Sequence, residues 1–337
     1  MEGKLRVGFI MGNDTDRTIT FGQDGVIPLQ GNNDADRVLH LLPEGEFNWS
    51  RIHLAPSYFR KARWWDVSKV DVLWNMVSDA DQNPETLAVV AKFTRDVGIP
   101  VIDPAAAILQ TRRHQIASRL AGIDNVHMPK TLLLRNPTLE RVRRQVEEAS
   151  FRFPALLRRT GSHNGAFIGR FDAPEQIEGV YGDRRHEYYM TEFVDFRSID
   201  GLYRKARFFF VGDEIVIRQL IISSEWNIHG RTAREMVSQP ARESEAVAML
   251  EGGFPALPAV TKIALRALAD RVGLDYFGLD ASLDAEGRLV VFEANATMNF
   301  MPRDGNMRPR SLASVAPMVA SVRKMLLSKA AQRATKR

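Results

Sequence analysis

The sequence predicts a protein of the α/β class, with a parallel N-terminal domain, a small lobe around a glycine-rich loop and an antiparallel C-terminal lobe. In the first hundred residues, short apolar strands alternate with helical segments, which is typical of a parallel sheet. A glycine-rich loop follows, and two antiparallel hairpins come after it. We expect four segments, at residues 1–104, 105–194, 195–320 and, as a basic tail, 321–337.

The elements of the first domain are predicted from apolar runs and from helix start signals. Pro84 takes the favoured first position of a helix that runs to about Val97. Buried strands are expected at residues 5–12, 51–55, 70–77 and 98–103. Residues 13–50 are rich in turn-forming residues, and the sequence suggests only a short helix there, over residues 34–42.

The two lobes that follow are predicted in the same way. Helices are expected at residues 104–121, 137–149, 258–272 and from 318 onward. Strands are expected at residues 130–134, 153–158 and 188–194. The first hairpin pairs residues 204–212 with 214–222, and the second surrounds an Asp-Ala-Glu-Gly turn that ends at Gly287.

Composition and charge exclude several classes of site. The chain of 337 residues has no cysteine, which excludes disulfides, thiolate nucleophiles and cysteine-bound zinc. No apolar run approaches the roughly 20 residues of a membrane span, and the first residues lead directly into a strand pattern. We therefore expect no signal peptide and a cytoplasmic location. The net charge of +5 suits an anionic ligand such as a nucleotide, but the dispersed basic residues argue against nucleic acid binding.

The most informative feature is a set of polar residues at the ends of the second hairpin. Asp280 stands at the beginning of this hairpin, and Glu293 and Asn295 stand at the end of its second strand. An antiparallel hairpin brings these ends together, and residues at i and i+2 share a face, so the three side chains should converge. Carboxylate and carboxamide oxygens suit Mg²⁺. The alternative is a hairpin with solvated acidic residues, although the apolar flanks make unpaired charge costly there.

The glycine-rich loop is a second candidate site. Gly161, Gly165 and Gly169, with Ser162, offer backbone N–H groups that can close over phosphate oxygens. The pattern matches neither a P-loop nor a dinucleotide fingerprint, because no Gly-Lys-Ser/Thr follows and the loop leads into a strand. An ordinary hairpin turn is the alternative.

The order of these features resembles the ATP-grasp superfamily of carboxylate–amine ligases. A glycine-rich lid, an apolar strand ending at Glu192, a basic hairpin, Gly-x-Asp at Asp280 and Glu-x-Asn at Glu293 follow one another in the same order. The resemblance extends from about residue 104 to residue 302, and it is nearest to the D-alanine–D-alanine ligase and ribosomal-protein-modifying branches. It implies an ATP-grasp architecture in which the first domain is the family's N-terminal domain.

The resemblance also implies roles for individual residues. Asp280, Glu293 and Asn295 would hold the Mg²⁺ ions that bridge the ATP phosphates. The residues implied for nucleotide binding are the hinge Glu192, Phe193 and Val194, the base-sandwiching Leu156 and Phe292, the lid residues Gly161 and Ser162, and Asp195 or Asp200 at the ribose.

Basic residues occupy the places where the family holds phosphate or substrate. Arg207, Lys205 and Arg218 lie on the basic hairpin. Arg158 and Arg113 stand where the family usually has lysines, which keeps the positive charge but changes the geometry of phosphate contacts. This departure also permits a non-catalytic relative. The arginine that D-alanine ligases carry just before the metal aspartate is absent, which argues against that particular activity.

The implied chemistry is ATP-dependent joining of a carboxylate and an amine through an acylphosphate, with ADP and phosphate as products. Arg113, Arg158 and Arg207 would stabilise the transferring phosphoryl group. The expected partners are small-molecule or peptide carboxylates and amines, ATP and Mg²⁺. The sequence is also compatible with a homodimer. An ATP-grasp kinase or a non-catalytic nucleotide-binding protein are the alternatives. Substrate choice would rest on residues 13–50, on residues 226–242 and on residues beyond Asn295.

A few further residues have both a functional and a packing interpretation. His163 could touch phosphate, Trp226 to His229 could line the acceptor pocket, and Arg303 could bind a substrate carboxylate. The pair Trp64 and Trp65 is more simply explained as core.

Overall fold

A computed structural model describes residues 4–14, 38, 41–54, 56, 66–162, 166–236, 238–300 and 309–334. Within these residues the chain forms three β-sheets with helices packed against them. One sheet is parallel, one is antiparallel except for an edge strand, and one is antiparallel throughout. The predicted mixed α/β architecture is therefore confirmed. Most of the helix predicted over residues 34–42 lies outside the described residues. The same is true of five single residues to which the sequence analysis gave an interpretation: Trp64, Trp65, His163, Gly165 and Arg303.

The N-terminal sheet is parallel, as the alternation of strands and helices predicts. Its elements are β1 (Leu5–Met11), β2 (Phe47–His53), β3 (Val72–Asn75), α1 (Pro84–Thr94) and β4 (Val101–Ile102), and the strand order is β2-β1-β3-β4. The carboxylate of Asp14, in the turn after β1, accepts the backbone N–H groups of Glu85 at 3.0 Å and Thr86 at 2.7 Å. This side chain satisfies two otherwise unpaired donors in the first turn of α1 and ties that helix to β1.

The second unit is a small antiparallel sheet, which we call the lid sheet, with the helices that precede it. The elements are α2 (Ala105–Ile108), a 3₁₀ turn (Leu109–Thr111), α3 (Arg113–Leu120), β5 (Val126–His127), β6 (Thr131–Arg135), α4 (Leu139–Glu148), β7 (Ala155–Arg159), β8 (Gly169–Phe171), a second 3₁₀ helix (Pro174–Val180) and β9 (Glu187–Glu192). Strands β6, β9, β7 and β8 form the lid sheet in that order, and β5 joins the central sheet instead.

The prediction of a single helix over residues 104–121 is wrong, because the helix is interrupted at Arg112. The backbone of Arg112 is extended, with φ −56° and ψ 141°. The guanidinium of Arg112 pairs with Asp81 at 2.7 Å and with Glu187 at 2.7 Å. These two ion pairs hold Arg112 outside the helix, so that α3 starts at Arg113.

The central sheet contains both predicted hairpins. Its unit comprises β10 (Tyr203–Val211), β11 (Glu214–Ser223), α5 (Gly230–Met236), α6 (Pro240–Ala256), α7 (Ala259–Val272), β12 (Tyr276–Leu283) and β13 (Leu289–Asn295). The strand order is β11-β10-β12-β13-β5. Gly287 ends the second turn with φ +78°, a left-handed conformation that glycine adopts without strain. Helices α5 and α6 occupy part of the segment 226–242 that the sequence assigned to substrate choice.

A long C-terminal helix, α8 (Pro309–Ala334), joins the N-terminal and central sheets. Its buried residues Met318, Val322 and Leu326 belong to one hydrophobic cluster with Phe9 and Trp74 of the N-terminal sheet. Among the residues that the structure describes, every helix is too short or too polar to cross a membrane.

A buried carboxylate also links these two sheets. Asp103 follows β4 and is 3% exposed, and its carboxylate accepts the backbone N–H groups of Asp275 at 2.6 Å and Tyr276 at 3.1 Å. Its main-chain carbonyl accepts the side-chain amide of Asn75. Burial, and then the neighbouring carboxylate of Asp275, which pairs with Lys329, raise the pKa of Asp103 to about 8.

This raised pKa predicts that the free energy of unfolding falls with pH. Because the folded protein holds the Asp103 proton above the pH at which an unfolded aspartate loses it, stability should fall from about pH 4 to about pH 8. The slope from this group should approach about 1 kcal/mol per pH unit. The measurement is urea unfolding of wild type and of Asp103→Asn across this pH range. The free energy of unfolding should fall more steeply with pH in wild type than in Asp103→Asn. Exposed Asp213→Asn is the control, and parallel curves for wild type and Asp103→Asn would contradict the assignment.

Candidate active site

Three adjacent strands of the central sheet place the predicted site residues side by side. In the strand register, Asp280 on β12 lies opposite Glu293 on β13 and opposite Arg207 on β10. Lys205 is two positions before Arg207 and therefore lies on the same face of β10. The convergence that the hairpin predicted for Asp280 and Glu293 is present in the structure.

Asp280 is held by two cations from β10. Its carboxylate accepts hydrogen bonds from Arg207 Nε at 2.7 Å and Nη2 at 2.9 Å, and Lys205 Nζ lies 3.3 Å away. The residue is 3% exposed. Burial alone would raise the pKa of Asp280, but the charges of Arg207 and Lys205 outweigh it and hold the pKa below its usual range. Asp280 is therefore an ionised carboxylate inside the protein.

Glu293 is held by a cation from the start of α3. Arg113 Nη2 lies 2.5 Å from Glu293 Oε1, and the amide of Asn295 donates to the same oxygen at 2.5 Å. Burial would raise the pKa of Glu293, but the charges of Arg113 and Arg158 lower it overall. Glu293 is therefore also ionised at neutral pH.

Arg158 on β7 differs from the other cations because it forms no ion pair with any residue that the structure describes. It is 6% exposed, and its guanidinium donates to the main-chain carbonyl of Ser162 at 2.6 Å and to the Ser162 hydroxyl at 3.3 Å. Burial, and then the charge of Arg113, lower the pKa of Arg158 to about 10, which leaves it charged at neutral pH. A buried guanidinium without a paired carboxylate is costly, and an anion bound beside it would offset that cost.

These charged residues open into a cleft of about 910 Å³ between the lid sheet and the central sheet. The predicted residues that line it are Arg113, Leu156, Arg158, Glu192, Phe193, Val194, Lys205, Asp280, Phe292 and Glu293. The carboxylate of Glu192 is turned away, since it accepts the backbone N–H of Arg152 at 2.8 Å. The backbone N–H and C=O of Val194 make no hydrogen bond with a described residue, so both can serve a ligand.

Aromatic side chains form the wall of this cleft. The ring of Trp226 lies 5.7 Å from that of Phe167 and 5.3 Å from that of Phe193, and the Phe196 and Phe292 rings are 4.5 Å apart. Phe167 belongs to the lid sheet side and Trp226 to the segment after β11, so this contact spans the cleft. The sequence analysis offered Trp226 either as a residue of the acceptor pocket or as a packing residue. The structure places it beside Phe193, through a tertiary contact that the sequence does not predict.

Solved ligase structures resemble the whole chain. The VanG D-Ala:D-Ser ligase of Enterococcus faecalis is 13% identical and has a TM-score of 0.55, with 97% of this chain and 100% of that chain covered. The D-alanine–D-alanine ligase of Bacillus anthracis complexed with ATP is 11% identical, with a TM-score of 0.53 and 100% of both chains covered. The Coxiella burnetii D-alanine–D-alanine ligase is 10% identical, with a TM-score of 0.55 and 99% and 97% coverage.

The protein has an ATP-grasp fold. The resemblance inferred from the sequence is confirmed at this level. No protein-family model and no curated protein matches the chain. At identities this low, the structural likeness shows the fold alone and does not show the activity.

Four residues that the sequence analysis offered for the site do not line the cleft, namely Asp195, Asp200, Arg207 and Arg218. Asp200, in the turn before β10, is about half exposed and pairs with Arg204 at 2.7 Å. Arg218 on β11 donates to the main-chain carbonyl of Phe300 at 2.5 Å and lines neither cavity. Asp195, the other ribose candidate, pairs with Arg197. Arg207 pairs with Asp280, which does line the cleft.

A second, smaller cavity adjoins the cleft and shares Arg113 and Glu293 with it. It lies between the N-terminal domain, the start of α3, the lid loop and the end of β13. Three further predicted site residues line it, namely Gly161, Ser162 and Asn295. The amide of Gln82 donates to the main-chain carbonyl of Gly161 at 2.6 Å, so the N-terminal domain touches the lid here.

Asp280 and Glu293 have the donor chemistry for a magnesium ion that would take most of its ligands from phosphate and water, whereas the oxygen of Asn295 is engaged elsewhere. Among the described residues, no cluster of three or more His, Cys, Asp or Glu side chains could hold a metal. Mg²⁺ is commonly bound by one or two carboxylates together with substrate phosphates, and the facing pair Asp280 and Glu293 supplies two. The oxygen of Asn295 accepts from the Thr297 N–H at 3.0 Å and hydroxyl at 2.8 Å. The structure thus directs this oxygen toward Thr297.

Proposed function

We propose that the protein is an ATP- and Mg²⁺-dependent ligase that joins a carboxylate to an amine and releases ADP and phosphate. The observation that carries this proposal is Arg158, a buried cation of the cleft that makes no ion pair with a described residue. The neighbouring cations are paired, since Arg113 contacts Glu293 and both Lys205 and Arg207 contact Asp280. A nucleotide triphosphate would supply the negative charge that Arg158 lacks.

The rest of the cleft suits the nucleoside. Leu156 and Phe292 would bracket the base, and the backbone of Val194 would form its hydrogen bonds, while Phe193 and Trp226 close the aromatic wall. The phosphates would then extend toward Arg113 and Arg158. The likeness to the Bacillus anthracis ligase complexed with ATP supports ATP as the nucleotide.

The reaction proceeds in two transfers. An oxygen of the substrate carboxylate attacks the γ-phosphorus of ATP, the bond to ADP breaks, and an acylphosphate forms. The amine nitrogen then attacks the acyl carbon, the carbon–oxygen bond to phosphate breaks, and the nitrogen gives up one proton. The cations around the cleft would stabilise the charge that develops on the phosphoryl oxygens, which is the main contribution a protein makes to such transfers.

The carboxylates and the lid have separate tasks. Bound Mg²⁺ would neutralise phosphate charge, and Glu293 and Asp280 would hold it. Arg158 links the phosphate position to the lid loop, because its guanidinium is anchored on Ser162. Closure of this loop would exclude water, which would otherwise hydrolyse the acylphosphate.

The test is ADP release with ATP and Mg²⁺ across a panel of small carboxylates and peptides, each with and without amines. Release that requires both a carboxylate and an amine is the expected result. Release with one acceptor alone, with a stable phosphorylated product, would replace the ligase by an ATP-grasp kinase. Nucleotide binding without turnover across the panel would contradict catalysis and favour a nucleotide-binding protein.

A further inference from the structure

The small cavity beside the cleft contains a carboxylate whose hydrogen-bonding capacity is only half used. Asp81, in the segment between β3 and α1, accepts through Oδ1 from Arg112 Nε at 2.7 Å and from the Tyr189 hydroxyl at 2.6 Å. Its Oδ2 makes no hydrogen bond with any residue that the structure describes. The side chain is 14% exposed and lines the cavity. An acceptor oxygen is thus available to a molecule bound there.

The position of Asp81 is fixed by its partners. Tyr189 on β9 is 1% exposed and Arg112 is held in turn by Glu187. Because both contacts use Oδ1, they orient the carboxylate without consuming Oδ2. A preorganised acceptor of this kind discriminates between ligands, since a group that cannot donate to it leaves a charged oxygen desolvated and unpaired.

The charges that line the cavity favour a cation, and the nearby charge that opposes it is Arg158, which lines only the cleft. Two guanidinium groups, Arg112 and Arg113, and three carboxylates, Asp79, Asp81 and Glu293, line the cavity. The net charge of its lining is therefore −1. Both arginines are already paired with carboxylates, at 2.7 Å and 2.5 Å. Nucleotide phosphates in the cleft would engage Arg113 as well, so the potential in the cavity would become more negative when the cleft is filled.

We propose that the small cavity binds the amine substrate in its ammonium form and that Asp81 is the residue that selects it. This inference rests on the proposed function and assigns the amine to one cavity. The cavity shares Glu293 and Arg113 with the cleft, so an amine held there lies next to the position of the transferring phosphoryl group. Asp81 contacts the substrate and determines specificity, while Tyr189 and Arg112 position it.

The experiment measures binding of three probes of similar size to the full chain saturated with Mg²⁺ and a non-hydrolysable ATP analogue. The probes are ethanolamine, ethylene glycol and glycolate, which present a cation, a neutral hydroxyl and an anion on nearly the same frame. Binding is followed by calorimetry or by ligand-observed NMR. The variant is Asp81→Asn, whose amide oxygen can still accept from Arg112 and Tyr189, and the matched control is Glu85→Gln, an exposed acid on α1 outside both cavities.

The expected result is that ethanolamine binds and that the other two probes bind at least about tenfold more weakly. Asp81→Asn should weaken ethanolamine by about tenfold or more and leave the dissociation constant of the ATP analogue unchanged, whereas Glu85→Gln should change neither. Preferential binding of glycolate, unchanged ethanolamine binding in Asp81→Asn, or no probe binding to the nucleotide complex would each overturn the proposal. Failure of the analogue itself to bind would overturn the proposed function, and this inference with it.

Discussion

Replacing Glu293 with glutamine is expected to lower ATP turnover by about 10³-fold. The change keeps the shape of the side chain but removes a carboxylate that faces Asp280 across the strand pair and that pairs with Arg113 at 2.5 Å. Without this charge, the proposed metal position keeps one carboxylate, and Arg113 becomes a second unmatched cation beside Arg158. ADP release on the substrates found by the panel measures the effect.

A second measurement separates this role from folding. Binding of Mn²⁺ with a non-hydrolysable ATP analogue should weaken in Glu293→Gln, while the analogue alone should bind as well as before or better, because the cleft has become more positive. Glu286→Gln, in the exposed turn of the same hairpin, is the control and should match wild type. Unchanged metal affinity in Glu293→Gln would remove Glu293 from the metal site.

Asp280→Ala is expected to destabilise the protein by about 3–5 kcal/mol, because it leaves Arg207 and Lys205 without their carboxylate in a buried site. The pKa of Asp280 lies below its usual range, so this stabilising contribution is present at neutral pH and is lost only as the pH falls through the folded value. Urea unfolding at neutral pH measures the change in free energy.

The same hairpin contains a suitable comparison. Asp284 pairs with Arg288 at 2.7 Å in the exposed turn, and Asp284→Ala should cost only about 0–1 kcal/mol. The double variant of Arg207→Ala with Asp280→Ala should cost less than the sum of the single changes, since it removes both charges of the buried pair. Equal costs for Asp280→Ala and Asp284→Ala would show that the strand position of Asp280 is not the source of the stability.

The sequence predicted those parts of the site that depend on short-range geometry. Asp280 and Glu293 are brought together by one hairpin, whose turn and apolar strands are visible in the chain, and the i and i+2 rule places Asn295 beside Glu293. The fold followed from the order of the same features. Even here, the direction of the Asn295 oxygen depends on Thr297, and no pattern in the sequence predicts that contact.

The rest of the site depends on contacts between distant segments. Arg113 donates to the Phe292 carbonyl over a separation of 179 residues, and Tyr189 donates to Asp81 over 108 residues. Nothing near Asp81 in the sequence marks it as a site residue. The break at Arg112 has the same origin, because the helical pattern over residues 104–121 is continuous and the two carboxylates that interrupt it, Asp81 and Glu187, are distant in the sequence.

The packing of α8 bears on how the chain is made. The strands of the N-terminal sheet are complete at residue 102, but Met318, Val322 and Leu326 complete the cluster around Phe9 and Trp74. At synthesis rates of about 5–20 residues per second, roughly 10–45 s pass between these two points. During that interval one face of the first sheet lacks its helical cover. The nascent chain is therefore a natural client for a chaperone that shields apolar surface until translation ends.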